Sequence, residues 1–209
     1  MRLRNIKGAI DVLNSSSYVI KNPSEYKGNF QSLFENTNPI HLEIGMGKGK
    51  FIVENAKTYP NINFIGMEMY DSVLVRAVEK IEKDIPNLKL IKMDATYIEE
   101  VFEKDIDMLY LNFSDPWPKA RHEHRRLTSD RFLNRYDKIF AGQKQIIMKT
   151  DNRKLFEFSL MSLADYGYKI KELSLNLHDD ELKDNIETEY EMKFSSKGFP
   201  IYRVYAEKE

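Results

Sequence analysis

From Ile40 onward, short apolar runs alternate with segments of helical period. Runs at 40–44, 62–67, 88–93, 107–113 and 145–150 have the length and β-branched content of buried strands. Between and after them, 50–58, 71–84, 96–103, 128–140 and 153–166 repeat apolar residues three and four apart, which predicts amphipathic helices. Two more strand-like runs, 168–177 and 200–206, lack a clear helical pattern between them and are expected to pair antiparallel. Residues 1–38 read as polar and irregular, with turn formers at Asn22-Pro23 and Lys27-Gly28-Asn29. The alternation predicts a doubly wound α/β fold, mostly parallel with an antiparallel C-terminal strand. It divides the chain into an N-terminal extension, 1–38, expected to be partly mobile, and a single domain, 39–209.

Ligands of such sheets gather beyond the carboxyl ends of the strands, so chemistry is sought there. The first run ends in Glu43-Ile44-Gly45-Met46-Gly47-Lys48-Gly49. Glycines let a backbone turn sharply and approach a ligand before a helix starts. The third glycine stands one residue earlier than a dinucleotide fingerprint requires. The pattern, an acid two residues before G-x-G-x-G, resembles the loop of class I S-adenosylmethionine-dependent methyltransferases; the plainer reading is a glycine-rich turn without a ligand. Glu68 ends the second run, about 20 residues beyond the glycines, where an acid can accept ribose hydroxyls. Asp94-Ala95 follows the third run. The fourth leads into Asn112-Phe113-Ser114-Asp115-Pro116-Trp117-Pro118-Lys119, whose prolines stiffen the turn and remove N–H donors, holding Asp115 at the sheet's end.

The 209 residues carry 32 Lys and Arg against 33 Asp and Glu, so a basic coat for nucleic acid has to be local. Between Pro116 and Lys138 seven cations meet three acids, whereas His178 to Glu191 holds seven acids and one lysine. The basic run is either a solvated face or an edge that grips phosphates, and its place beside the Asp115 loop favours the second. Cysteine is absent, which removes disulfides, thiolate metal sites, iron–sulfur clusters and cysteine nucleophiles. Pyrimidine C5 methylation through a thiolate adduct is excluded with them. The start of the chain lacks the apolar core of a signal peptide, and no run approaches the roughly 18 apolar residues of a membrane span, so a soluble, cytoplasmic protein without a membrane partner is expected.

The run NFSDPWPKARHEHRRLT, 112–128, resembles the signature of the bacterial tRNA (guanine-N7)-methyltransferases. The likeness extends to Asn22-Pro23 with Tyr26-Lys27-Gly28, to the glycine loop, to Lys149-Thr150-Asp151-Asn152, and to Thr188-Glu189-Tyr190-Glu191 followed by Phe194, Gly198 and Pro200-Ile201-Tyr202-Arg203. It implies a Rossmann-like class I methyltransferase sheet, S-adenosylmethionine as cofactor and tRNA as partner. By the same resemblance Glu43, Gly45, Gly47, Gly49, Glu68, Asp94, Ala95 and Asp115 belong to the cofactor pocket, with Asp115 at the catalytic centre. Lys119, Asp151, Thr188, Glu189, Tyr190 and Glu191 are expected to hold the substrate nucleotide. Arg121, His122, Glu123, His124, Arg125 and Arg126 are expected to contact RNA. Many members carry lysine where this chain has His124, which removes a charge at neutral pH.

Guanine N7 has an in-plane lone pair and no proton, so attack on a sulfonium methyl needs alignment and charge stabilisation rather than a general base. Carboxylates serve both ends, by accepting hydrogen bonds from the guanine edge and by offsetting its developing charge. Trp117 has two readings, a wedge packing its loop against the sheet or a platform for a base. His122 and His124 make a weak metal pair, and no metal is expected. Arg2, Arg4 and Lys7 are either a mobile RNA-binding arm or plain disorder. No exposed apolar stripe decides between monomer and homodimer. An amino-methyltransferase of adenine or cytosine, a non-catalytic cofactor-binding RNA module and a small-molecule methyltransferase remain as alternatives at this point.

Overall fold

In the computed structural model, residues 6, 8–81, 84–180 and 185–209 are described. Strands β1 (Val19–Ile20), β2 (Ile40–Ile44), β3 (Asn63–Glu68), β4 (Leu88–Lys92), β5 (Met108–Asn112), β6 (Lys144–Thr150), β7 (Lys169–Ser174) and β8 (Tyr202–Lys208) form one sheet in the order β1-β4-β3-β2-β5-β6-β8-β7. β8 alone runs against its neighbours β6 and β7; every other pairing is parallel. The helices are α1 (Ala9–Ser15), α2 (Lys50–Thr58), α3 (Asp71–Val78), α4 (Ile98–Val101), α5 (Asp130–Ile139), α6 (Arg153–Asp165) and α7 (Glu189–Ser195).

The period-two alternation of each strand divides the core between the two faces of the sheet. Ile65 and Met67 of β3, Leu109 and Leu111 of β5, and Ile146 and Met148 of β6 pack with α4, α5 and α6. Phe64 of β3, Leu88 and Leu90 of β4, and Tyr110 of β5 pack with α1, α2 and α3. Each fully buried Leu or Ile contributes about 1.5–3 kcal/mol, enough to make both faces obligatory. The chain leaves β2 for β3 and β4 on one side and returns to β5 on the other. The crevice between β2 and β5 is therefore the switch point of the sheet.

The N-terminal residues are more ordered than their composition suggests. Asp105 accepts hydrogen bonds from the amides of Gly28 at 3.0 Å and Phe30 at 3.1 Å, and the Phe30 ring is buried on Phe102. β1 adds to β4, and Ala9 and Leu13 of α1 are buried beside α3. The reading of 1–38 as irregular missed α1 and β1 because each is too short to show a period. The expected arm of Arg2, Arg4 and Lys7 lies outside the described residues, as do 82 and 83 of the helix expected at 71–84 and 181–184 of the acidic run. A second correction concerns the C-terminus, where α7 stands between the last two strands.

Gly66 of β3 lets the glycine loop lie down on the sheet. A Cβ there would collide with Met46 Sδ and press on Leu90 at 3.1 Å. Gly66→Ala is therefore expected to lower the unfolding free energy by roughly 1–3 kcal/mol, with partial recovery on adding Met46→Ala. Urea denaturation measures both, and an unchanged midpoint in the single variant would contradict this packing.

Candidate functional site

β2 stops at Ile44 because the next amides turn away from its ladder: Gly45 and Met46 both donate to the Met67 carbonyl, at 2.9 and 3.0 Å. Gly45, Gly47 and Gly49 all take positive φ, 75°, 59° and 81°, which side-chain-bearing residues rarely adopt. Gly49 caps α2, and a side chain on it would press against Ala77. Glu68 clamps the loop from β3. Its Oε2 accepts from the Gly47 amide at 3.1 Å, and its Oε1 accepts from Met69 and Tyr70 at 2.8 and 3.0 Å. Burial raises the Glu68 pKa, while these three N–H donors counter the rise.

A cavity of about 650 Å³ opens over the switch point. Gly45, Glu68, Asp94, Ala95 and Asp115 line it, as expected from the strand ends, together with His124 and Arg125 of the basic run, while the expected Gly47 and Gly49 are not part of its wall. Asp94 Oδ1 accepts from the Thr96 amide at 2.8 Å, which fixes its carboxylate at the start of a short turn. Asp115 is exposed on the wall and has no hydrogen-bond partner among the described residues. The wall also includes Met69, Tyr70, Asn112, Phe113 and Arg131, none of which the pattern of the sequence assigns to the site. For Met69 and Tyr70 a signal exists, two large apolar residues directly after a strand-end acid. Arg131 is visible in the sequence only as one more charge of the basic run.

Glu43 does not reach the wall. It is buried behind Asn112, which donates from Nδ2 to Glu43 Oε1 at 2.9 Å. Glu43 Oε2 and Asn112 Oδ1 are buried acceptors without any donor. Burial pushes the Glu43 pKa up to about 7; the Asn112 hydrogen bond and the Lys149 charge oppose the rise, and the Glu68 charge adds to it. Two orphaned acceptors cost free energy unless a donor arrives.

The basic run forms a short 3-10 segment, Ala120–Arg125, whose residues have separate tasks. Lys119, Arg121 and Glu123 are exposed outside the cavity, and His122 sets its ring edge-on to Trp117 at 5.8 Å. The Arg125 guanidinium lies 4.9 Å from the centroid of the Trp117 ring. Trp117 thus stands on the cavity wall between Arg125 and His122. Arg126 is not free for RNA. Its side chain is 12% exposed, donates to the carbonyls of Pro116 and Trp117 at 3.1 Å each, and stacks on Phe158. It braces a loop in which Phe113 and Trp117 hold positive φ, 51° and 41°.

The expected nucleotide-holding residues stand beside the cavity rather than in its wall. Tyr190 donates to Asp151 at 3.3 Å and lays its ring on Phe113, with centroids 4.8 Å apart. Thr188 and Glu191 form a capping box at the start of α7, and Glu189 pairs with Lys80. Glu191 is fully buried. It accepts from Lys149 Nζ at 2.6 Å and from Asn185 Nδ2 at 2.7 Å, so both of its oxygens are engaged. Lys149 also donates to Asn185 Oδ1 at 3.0 Å and to the Ile186 carbonyl at 2.9 Å. Burial lowers its pKa, and the Glu191 charge restores part of the fall. His178, Glu187 and Glu191 bring ligating atoms within 4.8 Å of one another, but the Lys149 ammonium already neutralises Glu191.

Residues 37–204 match the sequence model of a family described as "Putative methyltransferase". A tRNA (guanine-N(7)-)-methyltransferase of Bacillus cytotoxicus is 53% identical over 209 residues, covering 99% of this chain and 96% of that protein. The protein of the same name from Listeria welshimeri is 52% identical over 209 residues, covering 99% and 98%. Among solved structures, the 16S rRNA methyltransferase KamB superposes with a TM-score of 0.64 at 14% identity, covering 86% of this chain and 92% of that one. At that identity the likeness concerns the fold.

Trp117 is the sole tryptophan, so its emission reports on the Asp115 loop. Arg126→Ala is expected to shift that emission to longer wavelength, to increase acrylamide quenching and to cost about 1–3 kcal/mol of stability by leaving two carbonyls unpaired. Arg126→Lys should recover little of this, since an ammonium cannot span both carbonyls as a planar fork does. An emission spectrum unchanged in Arg126→Ala would remove the bracing role.

Proposed function

The chain belongs to the family of tRNA (guanine-N(7)-)-methyltransferases, and from that premise we propose that it methylates N7 of the variable-loop guanine of tRNA by direct transfer without a covalent intermediate. The observation that carries this reading is the shared wall of one cavity. There Glu68, Asp94 and Gly45 of the glycine loop stand together with the unpaired carboxylate of Asp115 and with His124 and Arg125.

S-adenosylmethionine, when bound, supplies an electrophilic methyl on a positively charged sulfur. This chain's residues suit it at each end. The positive-φ glycines keep side chains out of the loop, and a Cβ at Gly45 or Gly47 would meet open space. Glu68 Oε1 is filled by two amides while Oε2 retains a lone pair for a ribose hydroxyl, and Asp94 keeps Oδ2 free beside Ala95. Asn112 lines the wall and Glu43 stands behind it, so an ammonium bound beside Asn112 offsets the Glu43 charge without touching it.

In this reading, Asp115 accepts hydrogen bonds from the guanine edge and offsets the positive charge that moves onto the purine ring. A carboxylate held in place where that charge develops stabilises it without reorganisation. No side chain removes a proton, because N7 carries none. Asp151 and Tyr190 hold the nucleotide from the Phe113 side, and Thr188 with Glu189 completes that edge. Glu191 contributes by holding the segment through Lys149. Lys119, Arg121 and Arg125 take phosphates. The enzyme acts in the cytoplasm without a metal, as monomer or homodimer. Among the described residues no helix is long and apolar enough to cross a membrane.

Incubation of an unmodified tRNA transcript with the protein and S-adenosylmethionine, followed by borohydride and aniline, is expected to give a single cut in the variable loop. Label entering the RNA without a cut would move the reaction to another atom. Asp115→Asn should lower kcat on the order of a hundredfold while the cofactor dissociation constant changes little.

Cofactor binding should also depend on pH. Proton loss leaves Glu43 as a buried anion, and a bound ammonium compensates it, so deprotonation and cation binding favour each other. Affinity for S-adenosylmethionine is therefore expected to rise between about pH 5.5 and pH 7.5 and to become flat in Glu43→Gln, as read by calorimetry. A wild-type profile as flat as the variant's would detach Glu43 from the cofactor.

A further inference from the structure

Helix α7 is inverted relative to an ordinary surface helix. Its one buried residue is Glu191, held by Lys149 and by the Thr188 cap, while Tyr190 and Met192 are exposed and Phe194 is half-buried. Tyr190 is 42% exposed, Met192 45%, and Phe199 in the following turn 50%. An amphipathic helix buries its apolar stripe, and a cluster of large apolar groups left outside marks a binding surface.

These rings are also ordered. Phe113 on the cavity wall meets Tyr190 at 4.8 Å, Tyr190 stacks on Phe194 at 4.1 Å with planes 18° apart, and Phe194 meets Phe199 edge-on at 5.7 Å. Lys193 and Lys197 lie 5.6 and 5.5 Å from the Phe194 ring centroid, and Lys50 reaches Met192. None of these three lysines has a carboxylate partner among the described residues, and the Glu191 charge is matched inside. The face is therefore aromatic and cationic together.

We propose that the α7 face, Phe194 and Phe199 with Lys193 and Lys197, is a stacking platform for unpaired nucleotides that adjoin the target base in the RNA substrate. This deepens the function proposed above and rests on its RNA substrate. Single-stranded nucleic acid is held by aromatic rings that accept any base face and by cations that track the phosphates. The ladder begins at Phe113, so a strand delivering its guanine to Asp115 runs directly onto it. A second copy of this chain fits less well, because a two-fold contact would set the same lysines against one another.

The test compares Phe199→Ala and the double variant Lys193→Gln/Lys197→Gln with wild type, by tRNA binding at several salt concentrations and by S-adenosylmethionine calorimetry. Both sites are at the surface, so folding is preserved. Phe199→Ala should weaken tRNA binding on the order of tenfold. The double variant should lower the slope of log Kd against log salt by roughly 0.7 for each phosphate that a lysine no longer neutralises. Cofactor affinity and the rate at saturating tRNA should stay at wild-type values. If wild type methylates tRNA and neither variant changes affinity or slope, the platform is overturned and the proposed function stands. If wild type transfers no methyl to tRNA, both readings fall. If sedimentation shows a dimer that Phe199→Ala dissociates without altering tRNA affinity, the face belongs to a second copy and the platform is again overturned.

Discussion

The buried ammonium of Lys149 is the point on which the functional end of the sheet depends. It leaves β6 with 3% of its side chain exposed and binds three acceptors from residues 185–191, among them a carboxylate with none exposed. Breaking such a pair from one side leaves a bare buried charge, at a cost of about 3–5 kcal/mol. The Lys149–Glu191 contact therefore fixes where α7 begins, and with it the contact of Tyr190 with Phe113 and Asp151. It also puts a positive charge near Glu43, opposing the rise that burial imposes on that acid. One ion pair thus links the Glu43 corner of the crevice to the α7 segment.

The acids around the crevice have been given different degrees of freedom. Glu68 is held by three backbone N–H groups and Asp94 by one, so both are fixed in advance of any ligand. Glu43 is shut away with an orphaned oxygen, poised between protonated and ionised forms near neutral pH. Asp115 alone is both exposed and unpaired on the cavity wall. Two acids are thus fixed on the cavity wall, one is sealed behind it, and one is left free on it. The strained turn that presents Asp115 persists because Arg126 ties down its carbonyls.

The strands at 40–44, 62–67, 88–93, 107–113 and 145–150 were legible within one residue at either end, because each is a short run rich in apolar and β-branched residues. The glycine loop, Glu68, Asp94 and Asp115 were legible for a related reason: the acid or glycine stands at a fixed offset from the end of each run. α1, β1 and α7 were not, since two to seven residues show no period, and α7 buries a glutamate where a pattern reader looks for an apolar stripe. The run from Lys119 to Arg126 was legible as charge but not as function. Its neighbouring residues divide among solvent, the Trp117 ring and two backbone carbonyls.

The sequence by itself therefore determined the sheet, the switch point and the chemical character of the strand ends, because local periodicity and glycine placement act over a few residues. The tertiary structure decided which of several like-charged residues face the cavity. Arg125 and Arg126 are adjacent and chemically identical, yet one faces the cavity and the other braces a loop. Glu189 and Glu191 are two apart, yet one pairs at the surface and the other is sealed on Lys149. Such assignments depend on contacts between residues 8 to 109 positions apart in the chain. The desolvation and pairing energies that set them exist only once those segments have met.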